Sequence, residues 1–452
     1  MIDKTKIIER EVLDRITPDA KEKQKLKKII RELKDKISQE INKRNLDITI
    51  TLVGSTAKDT FLSKNLDIDL FLCFPVNTTR KELEKYGLSI ARKILSDSEE
   101  CYAEHPYLRG KFRGYETEIV PCYKIESASQ KLSAVDRTPL HTKYVLKNLK
   151  ESQKNDVRLF KQFLKGIGCY GAEAEIEGFS GYLCEILVIY YKTFHNLITS
   201  AKDWNYQKCL TLTKESQLVF DTPLVFIDPV DLERNVASAL SIEKFNLFVH
   251  ACKEYSKNPK INFFFPNKIK PWSIAKIESK IKNDNYLGIS FKKPDIISEN
   301  LYPQVRKALK SVVALLSEYD FEIIDSSFHI NEKNVYLIIK PKEMTIKPTK
   351  IHMGPPTHLE KHASDFSKKW KQNHMTVKQP YEKEKRLYVE IKRQYTETGK
   401  LLKDKFTDLS LGKHIIPIIK KDFSILDKQE LITNNLREFW TEHLDKKMPW
   451  ER

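Results

Sequence analysis

Two aspartates one residue apart, Asp67 and Asp69, interrupt the apolar run "LDIDLFLCF". On a strand, residues i and i+2 share a face, so both carboxylates point one way while Ile68 and Leu70 point the other. Burying one charge is costly, and placing a second like charge beside it costs more. A divalent cation between the carboxylates removes that cost. A small set of hard oxygen ligands suits Mg2+, which keeps phosphate oxygens in its shell. Two harmless acids at a solvated strand end are the plain alternative, and the D-x-D pattern alone does not separate the two.

The residues upstream favour the metal. "DITITLVGS" alternates as a strand does and ends at Gly54 and Ser55, after which "STAKDTFLS" reads as a short helix. Gly54 allows close backbone approach, and Ser55 with the first helical N–H groups makes a phosphate cradle. Lys58, one turn in, adds a cation. Such a cradle before a carboxylate pair is a nucleotide–metal constellation. It is not a P-loop, because G-x-x-x-x-G-K-[ST] does not occur. Further on, "KFRGYETEIVPCY" reads as a hairpin with Gly114 at the turn. Glu116 and Glu118 share one face of its second strand. Either can be a third carboxylate, and alternation does not choose between them.

Composition points to the partner. There are 79 Lys and Arg against 62 Asp and Glu, a net charge of +17. Such an excess favours a polyanion, nucleic acid first and an anionic membrane surface second. The 452 residues allow roughly three domains at about 150 each. Seven scattered cysteines with no C-x-x-C pair read as reduced thiols of a cytoplasmic protein, not as a zinc site or disulfide framework. The N-terminus is too charged for a signal peptide. The longest apolar stretch, "GFSGYLCEILVIYYKTF", is short and contains Glu185, so a buried helix is expected there and no membrane span.

Periodicity orders the rest. Thr17 is expected to cap a helix with Pro18 in its first turn and Leu26, Ile29, Ile30, Leu33, Ile37 and Ile41 on one face. Another helix is expected around Lys81 to Leu95, and residues 1–145 read as one α/β domain. Residues 150–265 are mainly helical, with Val157, Phe160, Phe163, Leu164 and Ile167 marking one helix. The prolines of "NPKINFFFPNKIKP" mark a junction. Pro303 to Tyr319 reads as an amphipathic helix and "SSFHINEKNVYLIIK" as two strands. Residues 341–380 carry eight Lys and Arg against three acids and include "HMGPPTH", expected as a loop. Arg306 and Lys310, one turn apart on the polar side of the 303–319 helix, are candidates with the 341–380 segment to grip an RNA backbone.

A Gly-Ser turn followed by a D-x-D strand resembles the nucleotidyltransferase superfamily whose type member is DNA polymerase beta. Five longer motifs in order, "EIVPCY", "SAVDRTPLH", "FLKGIGCYGAE", "GFSGYLCE" and "IDPVDLERNVASALS", narrow this. With them the chain resembles the archaeal-type (class I) CCA-adding tRNA nucleotidyltransferases, over at least residues 50–255 and more loosely through "IHMGPPTH" to the end. The resemblance implies an α+β multidomain fold: a polymerase beta-like catalytic head (1–148), a helical neck (149–265), a body (266–295 and 375–452) and a tRNA-binding tail (296–374). It makes Glu118, which precedes the V-P-C-Y run, the third carboxylate beside Asp67 and Asp69. The family commonly has Asp there and Glu first in the pair, so the reach of each side chain shifts by a methylene. It implies a triphosphate site at Gly54, Ser55, Lys58, Thr138, His141, Lys161 and Tyr170, with Arg234 at the base edge. The implied reaction adds C, C and A to tRNA from CTP and ATP without a template, by two-metal transfer with Mg2+, in a possible homodimer. A poly(A) or other terminal RNA nucleotidyltransferase shares the head motifs. A non-catalytic RNA-binding relative is disfavoured by the retained carboxylates and cradle.

Overall fold

The computed structural model describes residues 2–64, 66–102, 104–213 and 219–452. The chain divides into two units, Met1–Lys268 with Lys447–Arg452, and Ile269–Lys446. In the first, α1 (Ile2–Ile16) and α2 (Ala20–Lys43) precede β1 (Thr49–Val53), the short α3 (Gly54–Lys58), β2 (Asp67–Phe74) and α4 (Arg80–Ile94). Strands β3 (Ser96–Tyr102), β4 (Pro106–Phe112) and β5 (Tyr115–Tyr123) follow. The sheet order is β1-β2-β5-β4-β3. β2 and β5 run parallel, and the other neighbours are antiparallel. The β4–β5 hairpin turns at Arg113 and Gly114, both at positive φ (52° and 82°), as a tight hairpin requires.

One sheet face is the core. Leu26, Leu33, Ile37 and Ile41 of α2, with Leu83 and Ile90 of α4, pack on Ile68, Leu70, Leu72 and Phe74 of β2. This is the face opposite Asp67 and Asp69, as the alternation demands. The start of α2 differs from expectation. Asp19 is the cap, its carboxylate accepting from the Glu22 N–H at 2.7 Å. Thr17 and Pro18 instead join α2 to α1, a preceding helix that the charged N-terminal sequence conceals.

The unit continues with α5 (Thr138–Asn148), α6 (Lys154–Gly166), α7 (Gly181–Tyr191) and α8 (Phe194–Ala201). A small sheet of β6 (Lys208–Thr211), β7 (Leu224–Asp228) and β8 (Asp231–Asn235) and then α9 (Ile242–Lys257) complete it. Phe160, Phe163, Phe179, Phe194 and Phe248 build an aromatic core. Ile8, Val12 and Ile16 of α1 belong to this core, because α1 packs on α6. Residues 2–16 therefore pack with the helices and not with the sheet of the expected 1–148 domain. Likewise Trp450 stacks on Phe263 at 4.9 Å, which places 447–452 in this unit and outside the expected body.

The second unit contains α10 (Ile274–Ile281), β9 (Leu287–Lys292), α11 (Ser298–Glu318), β10 (Ile323–Ile330), β11 (Asn334–Pro341) and β12 (Thr349–Pro356). Next come α12 (Glu360–Lys371), β13 (Thr376–Lys383), β14 (Arg386–Lys392), α13 (Thr398–Lys405), α14 (Ile416–Lys421), β15 (Ser424–Leu426) and α15 (Arg437–Asp445). Its two sheets run β10-β11-β9-β15 and β12-β14-β13. The expected boundaries at 295/296 and 374/375 cut across both. Val305, Val312 and Leu316 of α11 share one core with Ile289, Leu337 and Ile339 of β9 and β11, and β13 and β14 pair with β12. A hydrophobic pattern reports which face of an element is buried, not which strand it pairs with. "HMGPPTH" is mostly the end of β12, where His352 pairs with Val389 and Met353 with Tyr388, and not a loop. Pro303 lies inside α11, which begins earlier than expected, at Ser298. Among the described residues no helix is long and apolar enough to cross a membrane.

Glu9 of α1 gives a test of the α1–α6 packing. Burial first, then Asp156 of α6, push its carboxyl up to about 7, with Lys6 opposing. Among the described residues its Oε1 is buried without a hydrogen-bond partner. The folded carboxyl keeps its proton to higher pH than the unfolded one. Stability is therefore lost as pH rises from 4.5 through about 7. Glu9→Gln should raise Tm at pH 8 by the equivalent of about 1–2 kcal/mol after solvent screening, and leave it nearly unchanged at pH 5. Equal shifts at both pH values in scanning calorimetry would contradict this packing.

Candidate active site

The parallel register sets Asp67 beside Glu116 and Asp69 beside Glu118. Four carboxylates thus stand in two ranks on one sheet face. Burial, then Glu118 and Asp67, push Asp69 up to about 7, although Lys58 and Arg109 oppose them. Burial and Glu116 raise Asp67 too, against Arg109 and Lys165. Among the described residues neither aspartate's carboxylate accepts a hydrogen bond. Glu118 is paired outward: Arg109, directly opposite on β4, places Nη2 at 2.6 Å and Nε at 2.8 Å from its Oε1. No three described His, Cys, Asp or Glu side chains stand in a ready metal cage. The donor set nonetheless fits a divalent cation. It is all oxygen, it is partly desolvated, and its repulsion is relieved by nothing stronger than neighbouring cations.

Gly54 sits against this pair. Val53 lies opposite Asp69 across β1–β2, and the backbone of Gly54 turns at φ +71°. A Cβ there would stand 1.9 Å from Asp69 Oδ2, so only glycine lets α3 start so close to the carboxylate. Ser55 is half-buried, and its carbonyl accepts from the Thr60 N–H at 3.0 Å. Lys58 points inward. Its Nζ is 2.5 Å from Oε2 of Glu185 on α7, and the side chain is 7% exposed. Lys161 of α6 approaches the same carboxylate at 3.5 Å and donates to the Thr60 carbonyl at 3.2 Å. Burial would raise Glu185, but Lys58, Lys161 and Thr60 hold it below its ordinary range. Tyr170 is close: a Cβ on Gly181 would lie 3.2 Å from its hydroxyl and 3.9 Å from Lys161 Nζ. Lys165 covers the Tyr170 ring at 5.3 Å.

A second buried carboxylate joins two more candidates. Asp228, at the end of β7, is fully buried and meets His141 Nε2 at 2.8 Å and Arg234 Nη1 at 2.9 Å. Tyr182 OH donates to its other oxygen at 3.2 Å, and the His141 ring stacks on Tyr182 at 4.1 Å. Burial would raise the Asp228 carboxyl, but His141, the Val230 N–H and Arg234 hold it low. Burial lowers the His141 imidazole despite that partner. Facing a carboxylate, the ring's Nε2–H is the donor to Asp228. Thr138 opens α5, which packs on both α3 and α7.

The candidates of the first unit therefore form three groups: the β2–β5 carboxylates with Gly54, the lysine pair with Tyr170, and His141 with Arg234. Arg306 and Lys310 lie in the second unit, on α11. The Arg306 guanidinium lies over Tyr302 and Phe328 (5.8 and 5.9 Å), while Lys310 is exposed. Arg109, Thr60, Tyr182, Glu185 and Asp228 escaped the sequence reading. Only Glu185 carried a signal, as a lone acid in an apolar run. Thr60 and Tyr182 pair with partners far away in the chain, while Arg109 and Asp228 reach Glu118 and Arg234 on the neighbouring strand.

Gly54→Ala tests the close approach of α3. Left-handed backbone costs a non-glycine residue about 1–2 kcal/mol, and the new methyl must displace the Asp69 carboxylate. Turnover should fall by about 100-fold or more for a shift of that size, with Tm lowered by only a few degrees. A variant within threefold of wild-type turnover would show that Asp69 is not positioned by this contact.

Three family models match in chain order: a nucleotidyltransferase domain over 26–141, a tRNA nucleotidyltransferase second domain over 155–265, and a CCA-adding enzyme C-terminal domain over 284–428. The CCA-adding enzyme of Methanosarcina acetivorans is 37% identical over 428 residues, 93% of each chain. That of Thermoplasma volcanium is 37% identical over 404 residues, covering 89% of this chain and 90% of the other. The Haloarcula marismortui enzyme is 34% identical over 398 residues, covering 84% and 85%. A carboxylate-bearing sheet, a helical second region and a C-terminal region occur here in the same order, and the chain belongs to the archaeal-type CCA-adding enzymes, tRNA nucleotidyltransferases with a polymerase beta-like catalytic fold.

Proposed function

We propose that the first unit transfers nucleotidyl groups from CTP and ATP to the 3′-hydroxyl of tRNA, adding C, C and A without a nucleic-acid template. The observation that carries this reading is the register of β2 and β5, which puts Asp69 and Glu118 side by side next to Asp67 and beneath Gly54. Asp67, Asp69 and Glu118 would hold the divalent cation, and their oxygen set favours Mg2+. When bound it supplies charge neutralisation at the phosphoryl group and acidifies the attacking hydroxyl. Glu118 would leave Arg109 to join the other two.

The remaining groups bind and orient. Ser55, Lys58, Thr138, His141, Lys161 and Tyr170 receive the triphosphate, with positive charge concentrated at Lys58 and Lys161. Arg234, braced by Asp228, reads the base. C and A each present a ring-nitrogen acceptor beside an exocyclic amino donor. U and G present an N–H beside a carbonyl. A fixed guanidinium can donate to the ring nitrogen of C or A but opposes the N–H of U or G, and an unmatched polar pair in a closed pocket is costly. No step needs a covalent nucleophile, so the seven free thiols need no part in the chemistry. In the second unit Lys310 and the basic face of α12 offer cations for the tRNA backbone.

The test is a gel assay with tRNA lacking its 3′ CCA, labelled CTP or ATP, and Mg2+. Addition of two C residues and one A is expected. Homopolymer tails would indicate a terminal transferase instead, and no incorporation would refute the reading. In the same assay Arg234→Ala should cut CTP and ATP incorporation and narrow their advantage over UTP and GTP. Slower incorporation with the full discrimination retained would make Arg234 a structural or phosphate-binding residue.

A further inference from the structure

Glu185 occupies the middle of α7, where Leu183, Cys184, Ile186, Leu187 and Val188 are all buried and uncharged. It is itself 1% exposed. Three side chains from two other segments converge on it. Lys58 Nζ is 2.5 Å from Oε2, Thr60 Oγ1 is 2.6 Å from Oε1, and Lys161 Nζ is 3.5 Å from Oε1. Lys161 also donates to Thr60 Oγ1 at 3.2 Å, which closes a ring of polar contacts. Lys58 and Lys161 are 6% and 2% exposed. Two ammonium groups contact one carboxylate in a nearly dry site, so at contact range one positive charge is in excess, and Asp69 draws on Lys58 only from beyond ion-pair distance. A cluster that served stability alone would not keep that excess, since an uncompensated buried charge is strongly destabilising.

We propose that Glu185 is a positioning residue for the incoming nucleoside triphosphate: it holds the Lys58 and Lys161 side chains side by side, and leaves positive charge for the triphosphate to match. This rests on the reading of those lysines as triphosphate ligands. Thr60 fixes the carboxylate from the far side, so the lysines are aligned before the nucleotide arrives and little ordering remains when it binds. Without the carboxylate, two ammonium groups would face each other in low dielectric, and one would give up its proton.

Lys161 is the group to lose it. The charged and titratable groups around it are Glu185 and Cys184 of α7, Lys58 of α3, Lys165 of its own helix, and Tyr170. Burial and Lys58 already pull its ammonium below the ordinary range, and Glu185 is foremost among the groups that hold it up. Loss of Glu185 should therefore make nucleotide binding weaken with rising pH across the neutral range.

The test compares KM for CTP and kcat between pH 6 and 9 in wild type, Glu185→Gln, Glu185→Asp and Lys161→Met, each melted to check folding. Glu185→Gln should raise KM by about tenfold or more at pH 8, with a clearly smaller rise at pH 6 and kcat within about threefold. Glu185→Asp keeps the carboxylate, so its KM should fall back toward wild type and lose the added pH dependence. A KM rise in Glu185→Gln that is the same at every pH, a loss confined to kcat, or a Glu185→Asp variant no better than Glu185→Gln would overturn the proposal. If Glu185→Gln does not fold, Glu185→Asp decides alone: KM within about threefold of wild type at every pH supports the proposal, and a rise of about tenfold or more, or one that grows with pH, overturns it. Lys161→Met separates the two readings. If it leaves KM unchanged, the triphosphate assignment itself has failed. If it raises KM while Glu185→Gln does not, only the role of Glu185 has.

Discussion

Parallel, in-register pairing of β2 and β5 forces like charges together. Asp67 meets Glu116 and Asp69 meets Glu118, and a one-residue slip of either strand would turn its own two acids toward the helices of the core. The register is held from behind, where Ile68, Leu70, Leu72 and Phe74 pack under α2 and α4. The hydrophobic core on one face thus maintains an electrostatic conflict on the other. Arg109 relieves part of it by engaging Glu118, and Lys58 tempers Asp69 from α3. The remainder favours a bound cation, which is how a strained site acquires function.

Around this conflict the protein builds its cationic groups on buried carboxylates. Glu185 gathers Lys58 and Lys161, and Asp228 gathers His141 and Arg234. Each carboxylate sits on a helix or strand of the helical half and reaches side chains from elsewhere in the unit. Long, flexible lysine and arginine side chains are thereby ordered before any ligand binds. Both carboxylates are fully satisfied, which is what makes a buried polar network rigid rather than costly.

Much of the first unit is legible in its sequence, because alternation and helical periodicity report buried faces directly. The aspartate pair, the β4–β5 hairpin and the stripe of α2 all follow from those rules. Glu116 and Glu118 do not separate by alternation, since both face the site. The motif resemblance favours Glu118, and the register puts it opposite Asp69. The boundaries of the second unit resist pattern reading for a different reason. β15 pairs with β9 through Ser424 on Ser290 and Ile425 on Ile289, with a whole second sheet between them in the chain, and nothing local announces that partnership. Helix α1 is hidden by its charges, although Ile8, Val12 and Ile16 recur at helical spacing.

A carboxylate pair that is unfavourable alone should be relieved by a divalent cation. The decisive measurement is thermal unfolding of metal-free wild type and Asp69→Asn at pH 8, with and without added Mg2+. Asp69→Asn should unfold at a higher temperature than metal-free wild type, Mg2+ should raise Tm in wild type but not in the variant, and the variant should lose turnover by several orders of magnitude. A less stable variant, or equal stabilisation of both proteins by Mg2+, would rule out a cation held at this pair.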